Sequence, residues 1–149
     1  MIDNVKKIAI GCDHAGYKLK EEIKGFLIQN GFEIQDFGTY SEESVDYPDF
    51  AHPVAESVEN GFNNKGILIC GSGIGVCITA NKHANIRAAL CWNAEIAAIS
   101  RKHNDANIVC LPARFTDSVL AINIVKTFLS TEFEGGRHNR RIKKIPLSK

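Results

Sequence analysis

The chain has 149 residues, 44% of them hydrophobic and 23% charged, and its formal net charge is +1. This is a globular composition, and a chain of this length predicts one domain over residues 1–149, because chains this short rarely divide into two cores. The apolar runs are too short to cross a bilayer and no secretion signal precedes the first strand, so we expect a cytoplasmic protein without membrane contact.

In the first half of the chain, short apolar runs alternate with helical patterns. Residues 7–12 predict a first strand, and apolar residues then recur at helical spacing from Leu19 until Gly31 ends the helix. A second strand is predicted over residues 32–38. A polar loop follows, and then a helix in which Pro53 limits the first turn or introduces a kink.

The second half of the chain repeats the same alternation. Residues 66–71 are almost unbroken in their apolarity, which is typical of a parallel strand buried on both faces. A short helix and a strand over residues 86–91 follow, and Asn93 is placed to cap the next helix. Residues 107–112 predict a fifth strand, and a last long helix begins at Asp117 or the residue before it.

Strand and helix thus alternate along nearly the whole chain. This order predicts an α/β fold, a single-domain Rossmann-like three-layer sandwich with a five-stranded parallel sheet and helices on both faces. Ligands bind beyond the carboxyl ends of the strands in such sheets. We therefore expect the site among the polar residues that follow the strands.

A glycine-rich loop follows the third strand, with the sequence Gly71-Ser72-Gly73-Ile74-Gly75. Glycines permit positive φ and close approach of a ligand, and the start of the next helix offers free N–H groups to an anion. A dinucleotide fingerprint would follow the first strand, and a Walker loop would contain Gly-Lys-Ser/Thr; neither condition holds here. The loop is therefore either a tight structural turn or a site for an oxyanion or phosphate.

The odd number of cysteines predicts free thiols. They are Cys12, Cys70, Cys77, Cys91 and Cys110. Without a CxxC pair or a Cys/His spacing suited to zinc, we expect reduced thiols and no metal. Cys70 directly precedes the glycine loop, and a thiol beside a helix N-terminus ionises more easily than a free one. It is either a core residue or a nucleophile or base.

Two histidine-containing pairs are further candidates. Asp13 and His14 follow the first strand, where Asp13 is also placed to cap the next helix. His103 and Asn104 lie near the predicted end of the fourth helix, whose dipole favours a protonated imidazole suited to general acid catalysis. The alternative for the second pair is an ordinary turn.

The end of the chain is basic. From residue 137 onward there are six lysines and arginines and no acid, whereas the rest of the chain has 12 basic and 17 acidic residues. Arg137 and Arg141 share one face if the segment is helical, and two guanidinium groups suit a phosphate dianion. Arg114 follows the fifth strand and is a third candidate for the same region. A solvated end and a nucleic-acid-binding arm are the alternatives.

These pieces stand in a specific order and spacing: GCDHAG, DYPDFA, GILICGSGIG, ANK, IRAAL, SRKHNDAN and EGGRHNRR. Together they resemble the ribose-5-phosphate isomerase B family, which includes the galactose-6-phosphate isomerase subunits. The resemblance implies interconversion of an aldose and a ketose phosphate without metal or organic cofactor. It also implies a homodimer or dimer of dimers whose active site is shared between subunits, with residues 137–149 packed on the body or on a partner.

The same resemblance implies roles for individual residues. Cys70 moves a proton from C2 to C1 through a cis-enediolate, while the glycine loop and the Ser72 hydroxyl stabilise charge on the reacting oxygens. His103 opens the sugar ring. Members without this cysteine use a glutamate at the position of Val76, so this chain belongs on the cysteine branch. The residues implied to bind the substrate are Asp13, His14, Tyr47, Gly71, Gly73, Ile74, Gly75, Asn104, Arg114, Arg137 and Arg141.

Two alternatives to a ribose-5-phosphate isomerase stay open. The first has the same chemistry on a six-carbon sugar phosphate, either allose 6-phosphate or galactose 6-phosphate. The second is a non-enzymatic nucleotide- or nucleic-acid-binding module that uses the glycine loop and the basic segment. We expect no nucleic-acid partner, because the aromatic residues, 8% of the chain, form no stacking platform on any one element.

Overall fold

The computed structural model describes residues 6–147, and these contain one five-stranded sheet. Its strands are β1 (Lys7–Cys12), β2 (Glu33–Asp36), β3 (Lys65–Cys70), β4 (Ala88–Leu90) and β5 (Ile108–Pro112). Every neighbouring pair is parallel, and the order is β2-β1-β3-β5-β4. The predicted five-stranded parallel sheet is confirmed. Lys149, the last residue of the basic segment, lies outside the described residues.

Helices cover both faces of this sheet. They are α1 (Tyr17–Gln29), α2 (Pro48–Glu59), α3 (Ile74–Ala80), α4 (Ala94–Asn104), α5 (Ser118–Ser130) and α6 (Arg137–Ile142). One apolar core lies between the sheet and α1, α4 and α5, and a second lies between the sheet and α2 and α3. The three-layer arrangement predicted from the sequence is therefore confirmed. Within residues 6–147, no helix has both the length and the apolarity that a bilayer crossing requires.

Local signals in the sequence explain where the helices begin. The Asn93 side chain accepts a hydrogen bond of 2.8 Å from the backbone N–H of Ile96, and Asp117 caps α5 in the same way. Helix α2 starts at Pro48 and runs through Pro53, so Pro53 does not limit its first turn. A proline in the first turn loses no helical hydrogen bond, so Pro48 starts the helix, and Pro53 removes a single bond further along.

A buried ion pair, which the sequence analysis did not predict, anchors the loop after β2. Lys20 is fully buried, and its Nζ lies 2.8 Å and 2.6 Å from the two carboxylate oxygens of Asp36. Burial alone would raise the pKa of Asp36, but hydrogen bonds from Lys20, Gly38 and Lys24 lower it below its ordinary value. The sequence does contain a sign of this burial, because Lys20 lies on the apolar face of α1 together with Ile23 and Leu27.

Candidate active site

The carboxyl end of β3 forms the centre of the candidate site. Cys70 is its last residue and is 5% exposed, and its carbonyl accepts a hydrogen bond of 2.9 Å from Ala113 N–H, just past β5. Gly73 then has φ 74°, and a Cβ there would lie 2.6 Å from Leu90 Cδ1. Glycine is therefore required at this position, which turns the chain sharply from Cys70 into α3.

Two long side chains cover the glycine loop. A Cβ on Gly71 would lie 2.8 Å from the Arg114 guanidinium, and one on Gly75 would lie 2.6 Å from the Tyr47 ring. Both glycines therefore allow these side chains to approach the backbone closely. The Ser72 hydroxyl accepts a hydrogen bond of 3.2 Å from Ile74 N–H at the start of α3. An oxygen placed here would meet backbone N–H groups and a guanidinium.

The end of β1 adds two polar residues beside the end of β3. The backbone N–H of Asp13 donates to the carbonyl of Ile69, and the Asp13 carboxylate accepts from Gly16 N–H, both at 3.1 Å. Asp13 thus caps a 3-10 turn over His14–Gly16, which leads into α1. His14 Nδ1 accepts a hydrogen bond of 3.1 Å from Val45 N–H, which leaves Nε2 as the donor of a neutral ring. We call the following set the carboxyl-edge group: Asp13, His14, Tyr47, Cys70 to Gly75, and Arg114.

The remaining predicted site residues lie together elsewhere. His103 is half-buried in the last turn of α4, and its ring stacks on that of His138 with centroids 4.4 Å apart. The condition for Arg137 and Arg141 to share a face is met, because both lie on α6, and both are exposed. We call His103, Asn104, Arg137 and Arg141 the amino-edge group.

The two groups lie at opposite edges of the sheet within one subunit. Helix α4 runs antiparallel to the strands and ends before β5 begins, so His103 lies beyond the amino end of β5. Cys70, in contrast, is level with Pro112 at the carboxyl end of β5. The four steps between the first and last of the five residues of β5, at about 3.3 Å each, place the two edges at least about 13 Å apart. Arg114 therefore does not converge with Arg137 and Arg141 inside one subunit.

The four thiols other than Cys70 differ from one another in their pKa values. Burial raises the pKa of Cys12 to about 12 and that of Cys91 to about 11, and it raises the pKa of Cys110 well above its ordinary value. A hydrogen bond with Cys110 lowers the pKa of Cys77. Cys12, Cys91 and Cys110 are therefore held as inert thiols in the core.

Sequence reasoning assigned no role to His138. It is buried, and its pKa is lowered by that burial and by the positive charge of Arg137. In the chain it is separated from His103 by β5 and α5, so no local pattern could have linked the two rings. The fold brings them together because the backbone N–H of Glu134 bonds to the carbonyl of Lys102 at 3.1 Å.

A buried thiol and a glycine loop at the carboxyl edge of a parallel sheet define an α/β protein with a strand-end site for a small ligand. A family model described as Ribose/Galactose Isomerase matches residues 8–145. The chain therefore belongs to the ribose/galactose isomerase family, which confirms the resemblance seen in the sequence motifs.

Individual relatives agree with this assignment. The chain is 47% identical over 141 residues to ribose-5-phosphate isomerase B of Escherichia coli (strain K12), covering 95% of both proteins. The ribose 5-phosphate isomerase of Thermotoga maritima is similar at 53% identity and a TM-score of 0.94, with 97% of this chain and 99% of that chain covered. The Mycoplasma genitalium enzyme, crystallised with bound ribulose-5-phosphate, gives 46% identity and a TM-score of 0.89, with 93% of each chain covered.

Proposed function

We propose that the protein is an aldose–ketose isomerase that interconverts ribose 5-phosphate and ribulose 5-phosphate, with Cys70 as the base. The observation that carries this proposal is the position of Cys70, buried at the end of β3 and immediately before the glycine loop that leads into α3. Its relatives support the substrate, since one of them was crystallised with ribulose-5-phosphate. The free thiols fit a reducing, cytoplasmic setting.

In the proposed reaction, the Cys70 thiolate removes the proton from C2 of the open-chain aldose and leaves a cis-enediolate. The same thiol returns that proton to C1, while the hydroxyl proton of O2 ends on O1, so that the ketose forms without gain or loss of atoms. The glycine loop and Ser72 stabilise the negative charge that develops on O1 and O2. No redox or metal step is needed for this proton transfer.

The amino-edge group opens the sugar ring before this proton transfer and binds the phosphate during it. His103 takes the proton of the anomeric hydroxyl and delivers one to the ring oxygen, which opens the furanose. Arg137 and Arg141 bind the phosphate dianion through charge-assisted hydrogen bonds. His14 and Arg114 approach the same phosphate from the carboxyl-edge group. Asp13, Tyr47 and Asn104 contact the sugar hydroxyls.

Because one subunit holds these groups at opposite edges, we propose a homodimer, alone or paired into a dimer of dimers, in which one subunit's carboxyl edge meets the partner's amino edge. Exposed apolar side chains at the carboxyl edge support this proposal. Trp92 and Phe115 contact each other with ring centroids 5.5 Å apart while staying 47% and 62% exposed, and Ile74 and Ile78 of α3 are about half exposed. Exposed apolar side chains in such numbers mark a protein interface.

The first experiment measures isomerase turnover without added metal on three substrates, ribose 5-phosphate, allose 6-phosphate and galactose 6-phosphate. We expect the five-carbon substrate to react fastest. Preference for a six-carbon substrate would keep the mechanism and change the substrate. Absence of turnover on all three would reject the proposed function.

The second experiment tests the shared site by mixing two variants that we expect to have lost nearly all turnover of ribose 5-phosphate, the substrate used in this assay. Cys70→Ala has an intact amino-edge group, and His103→Asn has an intact carboxyl-edge group. If each site draws on both subunits, unfolding and refolding the 1:1 mixture restores about a quarter of wild-type turnover, since half the dimers are mixed and each has one intact site. If each site lay within one subunit, the mixture would stay as inactive as the variants.

A further inference from the structure

Three potential metal ligands come together next to the end of α4. One ligand atom each from His103, Glu134 and His138 lies within 4.8 Å of the other two. The imidazoles come from α4 and α6, and the carboxylate comes from the loop between α5 and α6. Glu134 and His138 are four residues apart in the sequence, but only the fold joins His103 to them.

The buried member of the cluster has a nitrogen without a partner. His138 Nε2 is fully buried and has no hydrogen-bond partner among residues 6–147, and its distance of 3.6 Å from the nearest Glu134 oxygen is too long for a hydrogen bond. A buried polar atom without a partner is unfavourable, and native proteins rarely contain one unless a ligand completes it. The unpaired nitrogen belongs to the same side chain that stacks on His103.

We propose that His103, Glu134 and His138 bind a zinc ion, with a fourth coordination position left open. Two imidazole nitrogens and one carboxylate are a ligand set that zinc prefers, and three protein ligands with an open position are typical of its reactive sites. Bonds of about 2.0–2.1 Å place tetrahedral ligand atoms about 3.4 Å apart, so ligand atoms that now lie within 4.8 Å of one another have to approach further. Binding also requires one of the two stacked imidazoles to turn, since their rings are 15° from parallel and the nitrogen lone pairs lie in the ring planes. Glu134, whose side chain is 49% exposed, has room to move toward the ion.

Zinc in this position would block the isomerase, a consequence that rests on the proposed function. The ion occupies the lone pair that His103 needs to accept the proton of the anomeric hydroxyl. Ring opening therefore stops while the carboxyl-edge group stays intact. The ion acts as an inhibitor and takes no part in proton transfer at Cys70.

The test uses zinc chloride as the probe and locates the ion directly. Crystals of the full chain are soaked in zinc chloride and measured on both sides of the zinc absorption edge. We expect an anomalous peak between His103, Glu134 and His138. A peak found only at cysteines or lattice contacts would overturn the proposal, whatever the enzyme's activity.

Calorimetric titration of wild type and two matched variants completes the test. Glu134→Gln removes a ligand, whereas Glu132→Gln changes an exposed carboxylate of the same loop outside the cluster. We expect zinc affinity to fall by at least about 10-fold in Glu134→Gln and to stay unchanged in Glu132→Gln. Both variants keep metal-free turnover, and zinc inhibition is lost only in Glu134→Gln. Equal zinc affinity in the two variants would contradict the proposed zinc site.

Discussion

The two edges of the sheet are built in different ways. At the carboxyl edge, the groups around Cys70 are held by strand ends, by backbone hydrogen bonds and by a glycine loop whose shape is fixed. At the amino edge, Arg137 and Arg141 extend from a six-residue helix, exposed to solvent. One edge is therefore organised within a single subunit, whereas the other, in the homodimer that we propose, acts together with a second subunit.

In the proposed function, the two edges carry out two different kinds of chemistry. Proton transfer at carbon demands a base held to within a fraction of an ångström, and the interior of a sheet provides that rigidity. Phosphate binding tolerates movement, because long guanidinium side chains adjust to a charged group. We therefore expect substitutions at the carboxyl edge to reduce kcat and those in α6 to raise KM.

The largest expected effect is at Cys70. Cys70→Ala removes the proposed base, so kcat for ribose 5-phosphate should fall by about 10³-fold or more. The control is Cys77→Ala, which removes a thiol outside the site and should keep turnover within a few-fold of wild type. Far-UV circular dichroism should be unchanged in both. Substantial activity in Cys70→Ala would show that Cys70 is not the base, and the division of roles between the two edges would then be wrong.

A smaller effect, confined to one direction of the reaction, is expected at His103. His103→Asn should slow the conversion of ribose 5-phosphate by about 10²-fold, because that sugar arrives as a closed ring. Ribulose 5-phosphate has its terminal oxygen blocked by the phosphate and stays open, so its initial rate should fall by less than about 10-fold. Equal losses in the two directions would count against ring opening at the amino edge.

The rigidity of the carboxyl edge is tested through the buried pair of Lys20 and Asp36. Lys20→Met leaves Asp36 with Lys24 and the backbone N–H of Gly38, and we expect a loss of about 3 kcal/mol in the free energy of unfolding. The exposed pair of Lys18 and Glu42 provides the control, since Lys18→Met should cost less than about 1 kcal/mol. Denaturant unfolding measures both values.

The pH dependence of the same pair follows from the lowered pKa of Asp36. A carboxyl group with a lower pKa in the folded state stabilises the protein above its unfolded-state pKa and loses that contribution as pH falls through the folded-state value. The difference between wild type and Lys20→Met should therefore narrow below about pH 4. A difference that is constant from neutral pH down to the acid limit would show that Lys20 acts by packing alone.

The sequence predicted the fold well because strand burial is a local signal. The central strands β1, β3 and β5 lie within a residue or two of their predicted bounds, since each is apolar on both faces. The two edge strands are shorter than predicted: β4 covers Ala88–Leu90, because Ile86 N–H bonds in a turn to the carbonyl of His83. An edge strand has a neighbour on one side only, and its ends are set by loops.

The candidate site was predictable residue by residue but not in its arrangement. Motifs near the strand ends identified Cys70, Asp13 and His14, and the helix-end position identified His103. The stack of His103 on His138 and the separation of the two groups depend on how α4 and α6 cross the sheet. No pattern within a single segment contains that information.

The smallest expected effect separates the two arginines of the proposed phosphate site from their neighbour. Arg137→Ala removes a charge-assisted contact, so KM for ribose 5-phosphate should rise about 10-fold with little change in kcat. Arg140 is exposed on the same helix and carries the same charge, but it is not part of the amino-edge group, so Arg140→Ala should leave KM unchanged. Equal increases in KM would mean that α6 attracts the substrate only through its overall charge. Unequal ones would support a phosphate bound at defined side chains, on the edge that a single subunit leaves open.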